Sequence, residues 1–457
     1  MDRPGYLRRA TAGVASWFAF GRNMHLIVAS AFAANVVGTA NFQYLPMYIR
    51  RLGGSIENLG FFFSLQTLIL AVFVLIGGWL VDRFNRKLLF SLTPAMAGVA
   101  CLMQALAPTW QWLIPGMVLS LLSMSIGGPI FFSMTSDIAP KERRAAFFGY
   151  QAMAFSVCGI IGPIVGGFFF QYLDYRWFLA LGAGLGFAAS YLRSLLRDPR
   201  DDPNFVPEGA EEVAGAGTGG RVEAGPAATE GRVEAGSGGP VDAGSRASPR
   251  IGLVADFVAN FRTFARWAIR TPGVLVFMLL INLPAFGGKL TESYFWVYVN
   301  EVGLIAPAAI GVLATIAGAF AIPANLFGSR IGDRLERRVV VSAAYLSMGI
   351  WIMVATLVSG FPAFATLFIF DGLVHGGLYP SIDAWKADLC PSRHRGTFNG
   401  MLQLVGIVIA IPAPLIGARL WHSLGPATPI RLAALIAVVA AILLWRLGPR
   451  TKRAEGL

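Results

Sequence analysis

The chain of 457 residues is 55% hydrophobic and only 14% charged, with a mean hydropathy of +0.61, whereas soluble domains carry about 25% charged residues. That balance excludes an ordinary water-soluble globule and makes lipid the solvent for most of the chain. A formal charge of +12 would suit nucleic acid, but the apolar runs assign the basic residues to membrane-flanking loops, so no nucleic-acid partner is expected.

The elements follow in chain order. Arg8 and Arg9 precede a short apolar stretch that ends at Gly21-Arg22-Asn23. It lacks the longer core and small-residue cleavage site of a removed leader, so the first span is expected to act as its own uncleaved signal. A span needs about 20 mostly apolar residues. Such runs predict spans at 24–49, 57–81, 88–107, 111–135, 145–172 and 175–195, then at 273–299, 307–329, 339–359, 362–386, 396–421 and 428–447. The expected fold class is an all-α membrane protein of twelve transmembrane helices. An even number of crossings puts both termini on one side.

Between the two sets of spans, residues 198–250 are rich in Gly, Ala, Glu and Pro and repeat the hexapeptide of Gly220–Gly225 at Gly231–Gly236. This composition cannot bury a core and predicts a disordered linker. Gly215, Gly217 and Gly220 there spell a nucleotide fingerprint, but no strand precedes and no helix follows, so it reads as chance. Residues 251–272 alternate Leu253, Phe257, Phe261 and Phe264 with Arg262, Arg266 and Arg270 at helical spacing. That pattern fits a helix lying on the membrane surface, or a tether packed only on the protein. The domain reading is therefore 1–197, a linker at 198–250, a surface helix at 251–272, and 273–457.

Lys and Arg fix the orientation. Of 37 such residues only Arg50, Arg51, Arg176, Lys289, Arg419 and Arg431 fall opposite the termini. The other 31 lie with the termini, which places both ends in the cytoplasm and the chain in the cell's inner membrane. Cys101, Cys158 and Cys390 form no paired framework, so neither disulfides nor a metal is expected.

The strongest signal is a repeat at one gapless offset of 251 residues. Asp82-Arg83 matches Asp333-Arg334, Arg86-Lys87 matches Arg337-Arg338, Asp137 matches Asp388, and Gly149, Pro163 and Gly166 match Gly400, Pro414 and Gly417. Six spans separate each pair, so the halves have equal orientation and a pseudo-two-fold axis along the membrane normal.

With these residues the sequence resembles the major facilitator superfamily over all but the linker. Gly78, Asp82, Arg83, Arg86 and Lys87 resemble the family signature between the second and third helices, with Asn85 in place of a glycine, as a left-handed backbone would tolerate. The second copy is weaker: Asp333, Arg334 and Arg337. The resemblance implies that Asp82 faces the start of the eleventh helix and Asp333 the start of the fifth, while Arg83 and Arg86 face Asp137. These contacts would gate the cytoplasmic side. The plainer alternative is that the charges only set topology. Gly162, Pro163, Gly166 and Gly167 on the fifth helix resemble a drug–proton antiporter motif, and helix packing alone accounts for it equally well. The arginine that such antiporters carry in the fourth helix is absent from 111–130.

Ionisable residues inside spans are costly and therefore functional candidates. Asp371 and His375 stand one turn apart on the tenth helix, as a proton relay or a fixed polar contact would require. Glu292 follows Lys289 by one turn on the seventh, where a mutual pair competes with a cavity role. The resemblance places the first, fourth, seventh and tenth helices around a central cavity, with Asn41, Tyr44, Glu292, Asp371, His375 and Tyr379 on or near it. Nearby aromatics make that cavity largely apolar, as an amphiphilic organic solute would favour. The expected protein is a monomeric secondary transporter without cofactor. Its partners are a small-molecule substrate, the lipid bilayer and, as a candidate coupling ion, the proton. Export, nutrient uptake and a non-transporting sensor remain alternatives. No ATP-binding Gly-Lys-Ser/Thr loop occurs, and no enzymatic constellation appears.

Overall fold

The computed structural model describes residues 21–138, 144–196, 272–378, 380–389 and 395–448. These belong to one compact unit formed by Met1–Leu196 together with Asn260–Leu457. The proposed linker and surface helix at 198–272, apart from Pro272, lie outside the described residues. So do Tyr379 and the side chains of Gly78, Asp82, Asp137, Asp333, Arg334 and His375.

The first half contains α1 (Arg22–Arg51), α2 (Ile56–Arg83), α3 (Arg86–Ala105), α4 (Leu113–Ile138), α5 (Arg144–Tyr172) and α6 (Tyr175–Ser194). The second contains α7 (Pro272–Glu301), α8 (Pro307–Arg334), α9 (Arg337–Ala355), α10 (Phe361–Leu378) with α11 (Pro380–Leu389), α12 (Arg395–Ala410) with α13 (Ala413–Leu424), and α14 (Thr428–Leu447). No strand occurs among the described residues. In lipid this is the expected outcome, since each backbone group must find its partner within its own helix.

Ten of the expected twelve spans are, among the described residues, long and apolar enough to cross a membrane. The other two are α6 and α7. The first carries Arg176 and Arg193, the second Lys289 and Glu292, which lowers their hydropathy. The eleventh span, expected as one helix, is two. Pro412 and Pro414 remove consecutive-turn amide donors, and Ile411 N bonds instead to Val408 O at 3.3 Å. Its counterpart α5 carries only Pro163 inside and runs unbroken.

Local chemistry sets the helix ends. Ser55 Oγ accepts from Asn58 N at 3.2 Å, and Asp174 Oδ1 accepts from Arg176 N at 3.1 Å. Asn85 is not left-handed as expected, having φ −58°. It caps α3, its Oδ1 accepting from Lys87 N at 2.9 Å and Leu88 N at 3.3 Å. The loop after α1 turns at Gly53 with φ 82°, and the loop after α7 turns at Leu304 with φ 55°. Those positions are 251 residues apart, so both halves use one left-handed turn. In the second half a leucine carries its strain.

Small residues let the helices approach closely. A Cβ added at Gly186 would meet the Pro94 carbonyl and the Gly98 backbone, which joins α3 to α6. Gly349, 251 residues after Gly98, meets the Ala434 carbonyl in the same way and joins α9 to α14. Between the halves, α5 packs on α8 and α2 on α13. A Cβ at Gly311 would collide with the Pro163 carbonyl, and one at Gly60 with the Pro414 carbonyl. Replacing Gly311 or Gly60 with Leu should therefore lower the melting temperature of the purified protein, at an overpacking cost of about 1–3 kcal/mol. Gly149→Ala, where an added Cβ meets nothing within 4 Å, should leave it unchanged or slightly raised.

Candidate functional site

The contacts between halves repeat a single arrangement. Tyr44 on α1 is fully buried, and its hydroxyl donates to the Pro163 carbonyl of α5 at 2.9 Å. Tyr294 on α7, equally buried, donates to the Pro414 carbonyl of α13. A glycine of the opposite half faces each pair: Gly311 lies against Pro163 and the Tyr44 hydroxyl, Gly60 against Pro414 and the Tyr294 hydroxyl. A carbonyl oxygen has a second lone pair beyond its helix bond, and with glycines alongside it the tyrosine can reach it. Tyr44 thus lies at the interface, its hydroxyl also 3.0 Å from the Pro307 carbonyl of the other half, and it does not line the cavity described below.

Further contacts across the halves gather at the end of the bundle away from the termini, here termed the distal end. Ala308 N donates to Gln171 Oε1 at 2.9 Å, and Thr315 Oγ1 to the Ile160 carbonyl at 2.9 Å. Arg50 Nε meets Glu301 Oε1 at 3.0 Å. Their numbers differ by 251, so each is the other's counterpart in the repeat. A position can meet its own counterpart only on the two-fold axis, and a strictly repeated sequence would set like charges there. Divergence to Arg and Glu turns that repulsion into a pair.

Within the first half lies a cavity of about 370 Å³ between α1, α3, α4, α5 and α6. Asn35, Asn41, Thr93, Ser120 and Ser123 give it polar points, while Pro94, Ala97, Met124, Phe131 and Phe155 make most of its wall apolar. Tyr175 donates to Asn41 Oδ1 at 2.7 Å and fixes that amide at the distal side. At the opposite side is Arg193 of α6. It was assigned from the sequence to a cytoplasmic loop, yet it is only 5% exposed. Its Nε donates to Ser30 Oγ at 3.2 Å, and its Nη1 to the Phe90 carbonyl at 3.1 Å and Thr93 Oγ1 at 3.3 Å. The guanidinium lies 4.3 Å from the Phe90 ring centre and 5.4 Å from that of Phe131. The signal available in the sequence was position: Arg193 precedes the end of an apolar run by one residue, as a snorkelling loop charge would.

The remaining candidates are dispersed. Lys289 and Glu292 pair with each other at 2.6 Å. Asp371 is half-buried on α10, whose neighbour Gly372 packs on the Ala317 carbonyl of α8. Arg83 and Arg86 are exposed, and Arg86 Nη1 approaches Ser133 Oγ at 3.3 Å. Lys87 and Arg337 are half-buried near the start of α3 and α9. Gly162, Gly166 and Gly167 face Val36, Ala40 and Tyr44, and so let α1 and α5 touch. Among the described residues no group of His, Cys, Asp and Glu could hold a metal ion.

The profile of the Major Facilitator Superfamily matches residues 26–305 and 276–456, one copy for each half. The chain belongs to this superfamily. Among curated proteins it is similar to quinolone resistance protein NorA of Staphylococcus aureus, 29% identical over 160 residues, which cover 34% of this chain and 40% of the relative. It is also similar to puromycin resistance protein pur8 of Streptomyces alboniger, 28% identical over 178 residues, covering 38% and 35%. The matched segment thus spans less than half of either relative. Among solved structures, a mutant of nucleoside transporter NupG superposes with a TM-score of 0.68 at 11% identity, over 93% of this chain and 99% of that one. Peptide transporter POT in complex with sulfate gives 0.66 at 16%, over 94% and 96%. At such identities the likeness concerns the fold.

Reversing the axial charge should loosen the distal end. Arg50→Glu sets two carboxylates together and should lower the disulfide yield of a Gln171→Cys/Ala308→Cys pair. Arg50→Glu with Glu301→Arg should restore it. Each half-exposed contact is worth about 1 kcal/mol or less, so the difference should fade at high salt.

Proposed function

We propose that the protein is a secondary carrier that exports a small amphiphilic organic solute by alternating access, with protons as the coupling ion. The observation that carries this reading is the duplicated Tyr–Pro–Gly contact. It joins the halves through two equivalent helix pairs, so tilting one half on the other breaks both without disturbing either core. Together with the distal clamp, the contact describes a carrier closed at the distal end. The solute would enter from the terminal end, which the positive-inside bias assigns to the cytoplasm of a multi-pass inner-membrane protein. Export is supported by similarity to two proteins named for drug resistance.

The gate at the terminal end falls to Asp82, Arg83, Arg86, Lys87 and Asp137, with Asp333, Arg334 and Arg337 in the second half. A carboxylate there can meet the exposed N–H groups at a neighbouring helix start. Asp371 with His375 is the candidate proton relay, beside Tyr379, and Glu292 is held in reserve by Lys289. A single chain contains both halves of the path, so a monomer suffices.

Asp82→Asn should lower flux in reconstituted vesicles roughly tenfold, the scale of a contact that couples two states, while membrane abundance stays normal. Normal flux in that variant removes the gate role. Export predicts that an uncoupler raises accumulation of the solute in cells, whereas uptake predicts a fall. A solute that binds purified protein but never crosses a vesicle would replace the carrier by a sensor.

A further inference from the structure

The first-half cavity holds a cation without an anion. Arg193 is the charged group in its lining, and among the described residues no carboxylate contacts the guanidinium. Two of its three nitrogens bond to neutral oxygens of Ser30, Phe90 and Thr93, while Nη2 has no hydrogen-bond partner there. Burying a charge is costly unless it is paired. Two aromatic faces and neutral acceptors relieve part of that cost. The rest remains available to a ligand that brings a negative group to Nη2.

The cavity's shape states what else that ligand must be. From Thr93 to Cys101, both lining α3, is eight residues, or about 12 Å along a helix. Beyond the arginine the wall is mainly Pro94, Ala97, Met124, Phe131 and Phe155. At its far side stands the Asn41 amide, held by Tyr175. One cation at one end of an apolar slot of about 370 Å³ matches a single negative head on an apolar body. It does not match a polyanion, which would need several donors, nor a cation, which Arg193 repels.

We propose that this cavity binds a monoanionic amphiphile, its carboxylate or comparable oxyanion on Arg193 and its apolar body along α3 and α4. The inference deepens the carrier reading by naming the charge of the solute, and its test measures binding alone, so a failure of transport would leave it standing. The shared chemistry can come from a free organic acid or from the headgroup of an anionic lipid.

Full-length protein in phosphatidylcholine nanodiscs is titrated calorimetrically with 1-naphthaleneacetate and with 1-naphthaleneacetamide, its neutral isostere. The acid should bind about tenfold tighter or more, as a charge-assisted hydrogen bond allows. Arg193→Met should erase that preference while retaining weak binding of both probes, and Arg193→Lys should keep part of it. If Arg193 only braced α1, α3 and α6, its replacement would weaken acid and amide alike and leave their ratio unchanged. Nanodiscs containing phosphatidylglycerol distinguish the sources: competition with the acid that depends on Arg193 identifies a lipid headgroup, and its absence identifies a free acid. Equal affinity for the two probes, binding of neither, or a preference that survives Arg193→Met overturns the proposal. Should the methionine variant fail to fold, the wild-type ratio and the lysine variant still decide.

Discussion

The hydroxyl of a buried tyrosine resting on a proline carbonyl, with a glycine of the other half against both, is the contact on which the rest of the structure depends. It occurs as Tyr44–Pro163–Gly311 and as Tyr294–Pro414–Gly60. In lipid, helices gain little from burying apolar faces against one another, so association rests on close approach and on hydrogen bonds. Each triad supplies both. Each also lies where a helix of one half meets a helix of the other. The two triads, with Arg50 and Glu301 on the axis between the halves, position both halves at the distal end.

Those same constraints decide where polarity is tolerated. Most polar side chains in the spans turn back on their own helix, as Ser30 does to the Ile27 carbonyl and Asn282 to the Met278 carbonyl. Lys289 and Glu292 neutralise one another within one turn of α7. Arg193 is different. It reaches across to α1 and α3, lies under two phenyl rings, and borders empty volume. A superfamily defined by a shared fold leaves specificity to such individual groups.

Much of this was legible in the sequence, for identifiable reasons. Apolar runs of the right length located the helices because no other backbone arrangement survives in hydrocarbon. The offset of 251 residues located the two-fold axis. What the sequence concealed was side-chain direction. Tyr44 reads equally well as a cavity residue or an interface residue, and only the fold separates the two. Asn85 stands where a glycine is usual and suggested a left-handed turn, but its carboxamide serves better as the cap of α3. Pro412 and Pro414, two residues apart, were a visible warning that the eleventh span would divide. Arg193 was hidden by the rule that orients the chain, since a basic residue beside a span is normally outside it. The tyrosine repeat escaped notice because Tyr44 and Tyr48 correspond to Tyr294 and Tyr298 at 250 residues, one short of the offset elsewhere.

The central claim is that two equivalent halves tilt about their shared axis. Leu173 and Leu424 are counterparts at the distal end, and Phe84 and Leu335 are counterparts at the other; all four are exposed. Pulsed electron–electron spin measurements on cysteine-labelled pairs at these positions, in protein freed of Cys101, Cys158 and Cys390, report both ends of the bundle. Changing pH or adding a transported solute should lengthen the Leu173–Leu424 distance as the Phe84–Leu335 distance shortens. Both distances holding still, or moving in the same direction, while the same protein exchanges solute across vesicles would contradict the account.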